Sequence, residues 1–421
     1  MSPETTAEFG PAPSVDTDLD AAERWLIDWL ITEAWRIKNP RTLIREVCGR
    51  LVATGVPLDT FTAFVLTLHP DYFGVAHRWR RDADEVTSTL GSHELWNTAM
   101  VQKSPLRVVR EGADAFRWKL AVWGEHPEYQ VLNDLRADGA TDYAAMRLPF
   151  QDGSPQTITF TTHDPAGFTT AQLSLVDRLL FYLARLTEVQ AINYLATVLL
   201  DTYVGRQSGN EVMSGKIRRG EGQTIRAVIL MTDLRQFTTL SDQLDRDDLL
   251  ELLNDYFDAV GRPVQRRRGE ILKFIGDAML AVFPVEANNA DEQRACQNAL
   301  DAVIEANTDI VAQNNARRFA GKPAIRFVSA LHVGDVMWGN IGTSGRLDFT
   351  VIGPAVNLVS RIEGLTGALD EPVLMSGDFV AAGGIDATGC GAHMVKGLEA
   401  PIDVYRPASN VASNATSNGT P

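Results

Sequence analysis

Cysteine is scarce in this sequence: the chain of 421 residues has three, at Cys48, Cys296 and Cys390. No two of them form a Cys-x-x-Cys pair, so the pattern excludes a disulfide framework and a zinc ribbon. Such sparing use of cysteine is typical of a reducing compartment, and we therefore expect a cytoplasmic protein.

Long uncharged apolar runs are also missing. A membrane-spanning helix needs about 20 predominantly apolar residues. The most apolar long stretch, residues 173–204, is interrupted by charges at Asp177, Arg178, Arg185 and Glu188. The N-terminus has no basic segment followed by an apolar core, which a signal peptide would require. We expect neither a membrane span nor a targeting segment.

Basic residues are fewer than acidic ones. Lys and Arg number 39 against 54 Asp and Glu, which gives a net charge of −15. Binding to a nucleic-acid backbone needs a basic surface, so we expect no nucleic-acid partner. Apolar residues make up 45% and charged residues 22%, a balance typical of globular domains. The length suffices for two or three domains of roughly 150 residues each.

Composition changes along the chain and predicts five segments. Both ends are polar, and we expect disorder over residues 1–20 and 407–421. Seven of the eight tryptophans precede residue 130, which favours separate domains on the two sides of the chain. We place a first domain at residues 21–185, a helical linker at 186–222 and a second domain at 223–406. The linker can be a lever or a passive spacer.

The first domain mixes helical and strand patterns. One helix is predicted from Asn39-Pro40, and a long one after Gly167. The predicted strands lie at residues 61–68, 143–150 and 156–162. This order resembles the GAF-type sensory domain, with the best local match from Leu148 to Phe168. The resemblance implies a regulatory domain that binds a small molecule; an interaction domain without a ligand is the alternative.

Two aspartates of the second domain follow predicted strands. Residues 225–231 form a continuous apolar run, typical of a buried central strand, and Asp233 comes just after it. Asp277 lies in a predicted hairpin turn between strands at 270–274 and 278–283. Paired carboxylates suit Mg²⁺, which completes its shell with phosphate oxygens and water. Two ions about 4 Å apart can clamp the attacking and leaving oxygens of a phosphoryl displacement.

Five separated motifs extend this pattern. They are Asp233 to Thr238, Glu270 to Phe283, Ala330 to Gly342, Asp348 to Arg361, and Met394 to Leu398. In this order and spacing they resemble the class III nucleotidyl cyclase catalytic domain over about residues 222–406. The resemblance implies an α+β fold of the ferredoxin-like type, βαββαβ, and the activity of a phosphorus-oxygen lyase.

The resemblance also assigns the metal and catalytic residues. Asp233 and Asp277 match the aspartates that bind two Mg²⁺ or Mn²⁺ ions per site. Asn357 matches the residue that orients the ribose, and Arg361 the arginine that stabilises the transition state. These last two are four residues apart on a helix predicted from Pro354, so they share one face.

The other substrate contacts are assigned in the same way. Lys273 and Thr350 match the pair that selects the base, and Lys396 matches the lysine on the terminal phosphates. Phe237 and Thr238 complete the expected substrate-binding set. A lysine donor suits the unprotonated ring nitrogen of adenine, whereas guanylate cyclases favour Glu and Cys at the two base-selecting positions.

By this resemblance the chain is an adenylate cyclase that converts ATP to 3′,5′-cyclic AMP and pyrophosphate. The family's site takes its aspartates from one catalytic domain and its other residues from a second, so we expect a homodimer with composite sites. A guanylate cyclase and a catalytically inactive nucleotide-binding sensor are the alternatives. A diguanylate cyclase is disfavoured, because its Gly-Gly-Asp-Glu-Phe hairpin is replaced by Ile275-Gly-Asp-Ala278.

Overall fold

The computed structural model describes residues 11–286 and 289–408, apart from the side chains of residues 99 and 100. The described chain forms two compact units that divide between Leu199 and Leu200. Among the described residues, every helix is too short or too polar to span a bilayer.

The first unit combines one sheet with helices. Its helices are α1 (Leu19–Thr32), α2 (Pro40–Ala53), α3 (His93–Trp96), α4 (Ala99–Gln102), α5 (Leu106–Arg110), α6 (Leu120–Trp123), α7 (Gln130–Ala137) and α8 (Thr170–Tyr203), whose last turn lies past the division. Its strands are β1 (Thr60–Leu66), β2 (Tyr72–Arg80), β3 (Glu85–Ser92), β4 (Ala115–Trp118), β5 (Asp142–Pro149) and β6 (Pro155–Thr162). They form an antiparallel sheet in the order β3-β2-β1-β6-β5-β4.

The core of this unit lies where α1, α2 and α8 pack together with the sheet. Helix α2 begins as predicted: Pro40 is its first residue, and the side chain of Asn39 accepts hydrogen bonds from the first amides. Trp29, Phe61 and Leu179 line a cavity of about 20 Å³ in this core, which holds no more than one water-sized molecule. A small-molecule ligand and the GAF-type fold of this unit stay predictions.

The N-terminal segment is more ordered than its composition predicts. Val15 is buried, and its amide donates a hydrogen bond to the carbonyl of Thr54. The Asp18 side chain accepts from the amide of Ala21 and caps α1. These tertiary and capping contacts offset the cost of ordering a polar segment. Of the ends predicted to be disordered, residues 1–10 and 409–421 lie outside the described chain.

Helix α8 continues without interruption through residue 185, where we placed the end of the first domain. The predicted linker then contains the rest of α8 and a further helix, α9 (Arg206–Met213). The compact units divide at residue 199, inside that linker. The limits of the five segments therefore stay predictions.

The second unit is built on a larger sheet. Its helices after α9 are α10 (Phe237–Gln243), α11 (Arg246–Arg266), α12 (Asn289–Phe319), α13 (Pro354–Glu363), α14 (Thr366–Leu369) and α15 (Gly377–Gly383). Its strands are β7 (Gly222–Leu234), β8 (Glu270–Ile275), β9 (Ala278–Pro284), β10 (Phe327–Gly342), β11 (Leu347–Ile352), β12 (Val373–Ser376), β13 (Ala387–His393) and β14 (Ile402–Pro407). Pro407, predicted to begin the disordered tail, is the last residue of β14.

The strand order of this sheet is β13-β14-β12-β10-β7-β9-β8, and β11 pairs with β10. Along the chain, β7, the helices α10 and α11, β8, β9, α12 and β10 follow one another as βαββαβ. Strand β7 pairs antiparallel with both β10 and β9 and is thus central. The predicted α+β fold of ferredoxin-like type is confirmed. Because β7 is central and β8–β9 is a hairpin beside it, Asp233 and the turn at Asp277 come to the same region of the sheet.

Candidate active site

Two carboxylates from separate elements meet at the end of the central strand. Asp233 is the next-to-last residue of β7, and Asp277 lies in the two-residue turn between β8 and β9. Gly276 makes that turn possible, because its φ of 67° is in the left-handed region that glycine adopts readily. The side chains of Asp233 and Asp277 lie close enough to share a hydrogen bond when one carboxyl is protonated. The structure therefore brings the two predicted metal ligands close together.

Electrostatics at this pair are unfavourable for two negative charges. Burial, followed by the charge of Asp277, raises the pKa of Asp233 to about 7. The amide of Leu234 donates to Asp233 Oδ1 at 3.1 Å and partly offsets that rise. Behind the pair, the hydroxyls of Thr232 and Tyr256 are hydrogen-bonded at 2.7 Å in the core. That buried contact holds the backbone of β7 next to Asp233 in place.

A third carboxylate, which the sequence motifs missed, lies beside this pair. Burial raises the pKa of Glu363 at the end of α13, the nearby charge of Arg235 lowers it, and that of Asp277 raises it. Arg235 also donates to the carbonyl of Thr366 at 3.0 Å, which ties the end of β7 to the chain after α13. The sequence signal was the position of Glu363 in the same helix as Asn357 and Arg361.

Asn357 and Arg361 occupy another side of α13. They are separated by four residues, about 40° around a helix, whereas Arg361 and Glu363 are about 160° apart. Asn357 is exposed, and Arg361 is half-buried. Helix α13 thus carries Glu363 on the side that neighbours the carboxylate pair of its own chain. Asn357 and Arg361 lie on a different side of the helix. Among the described residues, no hydrogen bond or ion pair joins Asn357 or Arg361 to Asp233 or Asp277.

The loop that carries Lys396 lies against Arg361. A Cβ added to Gly397 would be 3.0 Å from the Nη2 atom of Arg361, and the φ of Gly397 is 81°. Only glycine fits easily here, since a side chain would be both strained and crowded. Lys396 itself is exposed. The structure therefore places the backbone of the Lys396 loop next to Arg361.

The predicted base-selecting lysine has an unexpected partner. Nζ of Lys273 on β8 lies 2.5 Å from Oδ2 of Asp348 on β11. Thr350, the predicted partner, is buried on the same strand, and its Oγ1 has no hydrogen-bond partner among the described residues. Asp348 and Thr350 are two residues apart and hence on the same face of β11. That spacing is the signal that could have identified Asp348.

Phe237 and Thr238 begin helix α10, just after the aspartate of β7. Phe237 packs partly into the core, and Thr238 is exposed. Gln236 precedes them with a φ of 63°, and no described side chain caps the helix. The first amides of a helix have no intrahelical partner, so these residues present backbone donors near Asp233.

Asp233 and Asp277 fit a divalent cation that binds together with a nucleotide. In the part of the chain that the structure describes, no group of three or more His, Cys, Asp or Glu side chains could hold a metal ion. Mg²⁺ needs only one or two carboxylates when phosphate oxygens and water supply the rest. A cation would also relieve the repulsion that raises the pKa of Asp233.

Three neighbouring features have structural roles. His332 is buried, and its Nδ1 is hydrogen-bonded to Ser376 Oγ at 2.8 Å, as expected for a core histidine. Asp335 lies 3.4 Å from Arg226. In the basic run at 266–268, Arg266 and Arg267 form ion pairs with Glu305 of α12, so these two arginines pair on the surface.

Comparison with known proteins identifies this unit. The family model of the adenylate and guanylate cyclase catalytic domain matches residues 222–406. Adenylate cyclase 1 of Rhizobium meliloti (strain 1021) is 33% identical over 196 residues, which are 45% of this chain and 29% of that protein. The adenylate cyclase of Anabaena cylindrica is 37% identical over 154 residues, 36% of this chain and 29% of that protein.

Among solved structures, the adenylyl cyclase CyaB from P. aeruginosa is 27% identical, with a TM-score of 0.41 over 44% of this chain and 94% of that one. The present chain spans under a third of the length of the two curated relatives, since it covers 29% of each. Residues 222–406 belong to the adenylate and guanylate cyclase catalytic domain family.

Proposed function

We propose that the protein is an adenylate cyclase that converts ATP to 3′,5′-cyclic AMP and pyrophosphate. The observation that carries this proposal is the contact between Asp233 and Asp277, two carboxylates that separate elements hold together at the cost of a pKa near 7 for Asp233. A fold keeps such a repulsive pair where a function needs it. The relatives named as adenylate cyclases support the same reading.

In the proposed reaction, the 3′-hydroxyl of the ribose releases its proton to water, its oxygen forms a bond to the α-phosphorus, and the bond from that phosphorus to the pyrophosphate oxygen breaks. Two Mg²⁺ or Mn²⁺ ions held by Asp233 and Asp277 would acidify the 3′-hydroxyl and offset phosphate charge. Asn357 orients the ribose. Arg361 donates to phosphate oxygens whose negative charge grows in the transition state. Lys396 and the first amides of α10 bind the remaining phosphate oxygens.

Lys273 favours adenine over guanine at the base. Its ammonium group can donate to the unprotonated ring nitrogen of adenine, whereas guanine carries an N–H at the same position. Asp348 holds Nζ of Lys273 at 2.5 Å, and the unpartnered Oγ1 of Thr350 is a further contact for the base. These features favour an adenylate over a guanylate cyclase.

The active form is a homodimer with composite sites. Around helix α13, Arg361 is about 160° and Asn357 about 120° away from Glu363, which neighbours the carboxylate pair of its own chain. One chain therefore supplies both halves of a site but directs them apart. Two copies related by a two-fold axis would complete two equivalent sites.

The test mixes two inactive variants, Asp277→Ala and Arg361→Ala. In a hybrid dimer one site receives both lesions and the other receives none. Random mixing makes about half of the dimers hybrid, so about a quarter of the wild-type activity should return. The measurement is cyclic AMP formed from Mn-ATP or Mg-ATP, with native mass spectrometry to show that hybrids are present.

A mixture of Asp233→Ala with Asp277→Ala is the matched control. Both residues belong to the same half of a site, so every site in that hybrid lacks one carboxylate and no activity should return. Recovery in the control, or none in the first mixture despite hybrids, would contradict composite sites. An inactive wild-type chain that still binds ATP would instead establish the nucleotide-sensor alternative.

The first unit is proposed to be a GAF-like regulatory domain of a cytoplasmic enzyme. Its separate core and its helix α8, which ends near the start of the cyclase unit, support a regulatory role. Native mass spectrometry of the full chain tests for a retained small molecule. A ligand-free chain whose activity is unaffected by cell metabolite extracts would favour an interaction domain.

A further inference from the structure

A polar cavity lies at the end of the β8–β9 hairpin that is opposite the turn at Asp277. We call it the β8 cavity. Its volume is about 460 Å³, which is in the range of sites for small organic molecules. Its wall is formed by the starts of α9, β8 and α12 and by the chain after α11 and β9. Glu270 in this wall comes seven residues before Asp277, about 20 Å along an extended strand. The β8 cavity is therefore separate from the candidate active site.

Glu270 is a buried carboxylate without a cationic partner. It is 5% exposed, and its Oε1 accepts a hydrogen bond from the amide of Ser208 at 2.8 Å. Its Oε2 has no hydrogen-bond partner among the described residues. Burial raises the pKa of Glu270, and hydrogen bonding from Ser208 partly offsets that rise. Because a buried charge is normally paired, a positively charged group of a ligand beside Glu270 would stabilise its ionised form.

The other charged side chains of the wall are partly paired. Three of its four arginines lie between 2.9 and 3.8 Å from an acidic side chain; they are Arg206, Arg267 and Arg294. Arg268 and Glu286 form no ion pair with any residue that the structure describes. Together with Glu270, the β8 cavity therefore has two negative charges and one positive charge without a counter-charge.

Arg268 occupies a backbone position that helices usually give to glycine. It follows the end of α11 with a φ of 65°. The amide of the next residue, Gly269, donates to the carbonyl of Val264 at 2.8 Å, the hydrogen bond that typically closes a helix in this way. The left-handed conformation is unfavourable for a residue with a side chain. An anionic group in the β8 cavity would give the Arg268 side chain a role that offsets this cost.

The three unpaired charges are spread along the β8 cavity. Arg268 and Glu270 are separated by a single residue. In the antiparallel pair of β8 and β9, Glu270 is opposite Val282, and the chain after Val282 continues past the start of β8. Glu286 comes four residues after Val282, up to about 13 Å further along. An extended ligand is needed to reach all three charges.

We propose that the β8 cavity binds a basic α-amino acid of the lysine type. The ammonium and carboxylate groups on its α-carbon pair with Glu270 and Arg268, and the ammonium group at the end of its side chain pairs with Glu286. At neutral pH such a molecule carries two positive charges and one negative charge, the complement of the three unpaired side chains. The binding does not depend on the proposed cyclase activity.

Isothermal titration calorimetry of the full chain tests this site with L-lysine as the probe. We expect a dissociation constant of about 1 mM or tighter. Two analogues each lack one charged group: norleucine lacks the side-chain ammonium, and cadaverine lacks the carboxylate. Each should bind at least about tenfold more weakly, because one charge of the wall stays unpaired. An analogue that binds as tightly as L-lysine would overturn the assignment of three charges, and no binding of L-lysine at about 10 mM would overturn the site.

Two variants locate the binding in the β8 cavity. Glu270→Gln keeps the acceptor for the Ser208 amide and should weaken L-lysine binding at least about tenfold. Arg268→Gly should also weaken binding, yet it should raise the temperature of thermal unfolding, because glycine adopts a φ of 65° readily. Loss of binding together with higher stability separates recognition of the ligand from a merely structural role.

Glu251→Gln is the matched control, since Glu251 pairs with Lys322 outside the β8 cavity. It should bind L-lysine like the wild type. Unchanged binding in Glu270→Gln, or equal loss in Glu251→Gln, would overturn the proposed site. Binding of L-lysine by a chain that forms no cyclic AMP would support the site and contradict only the proposed function.

Discussion

The candidate site has two halves, and a single chain brings together the residues of only one of them. The carboxylate half is finished within the chain: Asp233 and Asp277 touch each other, and Glu363 lies nearby. The half that carries Asn357 and Arg361 has no such partner set within the described chain, and Asn357 is exposed. One half of the proposed site is therefore formed within a single chain, whereas the other half leaves Asn357 exposed.

The two halves also differ in how they are held in place. Sheet pairing fixes the carboxylates, since Asp233 is opposite Val328 in β10 and Asp277 is the tip of a tight hairpin. Helix α13 and one glycine loop fix the other half, through the approach of Gly397 to Arg361. Changes in the first half should therefore affect cations, and changes in the second half should affect the transition state.

The largest effect is expected from Asp277→Asn. Loss of one ligand of the cation pair should lower kcat by at least about 1000-fold, measured as cyclic AMP formation at saturating Mn²⁺. Thermal unfolding at neutral pH should not occur at a lower temperature, because the change removes a charge that repels Asp233. Asp335→Asn, at an exposed ion pair with Arg226, is the control and should stay near wild type. A variant that unfolds earlier would mean that the pair stabilises the fold.

Arg361→Ala should follow, with kcat lowered about 100- to 1000-fold and KM for ATP changed little. The reason is that its donors act mainly on charge that develops in the transition state. Steady-state kinetics on the full chain measures the split between kcat and KM. Arg262→Ala, which breaks an ion pair on the surface of α11, is the matched arginine control. A rise in KM alone would reassign Arg361 to ground-state binding.

A smaller effect is expected from the residues proposed to contact the purine base. Lys273→Glu combined with Thr350→Cys should lower the ATP-to-GTP ratio of kcat/KM by at least about tenfold, since the donor for the ring nitrogen is lost. Asp348→Asn should lower the same ratio less, because it only frees the lysine. Lys322→Gln, at a surface ion pair, should leave the ratio unchanged. An unaltered ratio in the double variant would show that these positions do not read the base.

Much of the catalytic fold could be predicted, because its elements follow from local patterns. The apolar run before Asp233, the glycine turn before Asp277 and Pro354 at the start of α13 each define an element in the structure. The pairing of Lys273 with Asp348 could not be predicted, because 75 residues separate them and only sheet topology joins them. The order around Val15 was missed for the same reason: its contact with Thr54 is tertiary.

The smallest and most gradual effect is that of pH on the carboxylate half. Because burial and Asp277 raise the pKa of Asp233 to about 7, this group binds a proton more tightly in the folded protein than in the unfolded chain, where an Asp titrates near about 3.9. Without cations, stability should therefore fall as pH rises from about 4 to about 7, and thermal unfolding over that range measures it.

Cations and protons compete for the same oxygens, so the affinity for Mn²⁺ should move in the opposite direction. It should rise by up to about tenfold per pH unit below 7 and level off above, as measured by paramagnetic resonance of free Mn²⁺. In Asp277→Asn the repulsive charge is gone, so whatever binding remains should level off at a lower pH. An Mn²⁺ affinity that does not change between pH 5.5 and 7.5 would mean that Asp233 is ionised throughout. A cation would then have no raised Asp233 pKa to lower. The two halves of the site would differ only in their exposure.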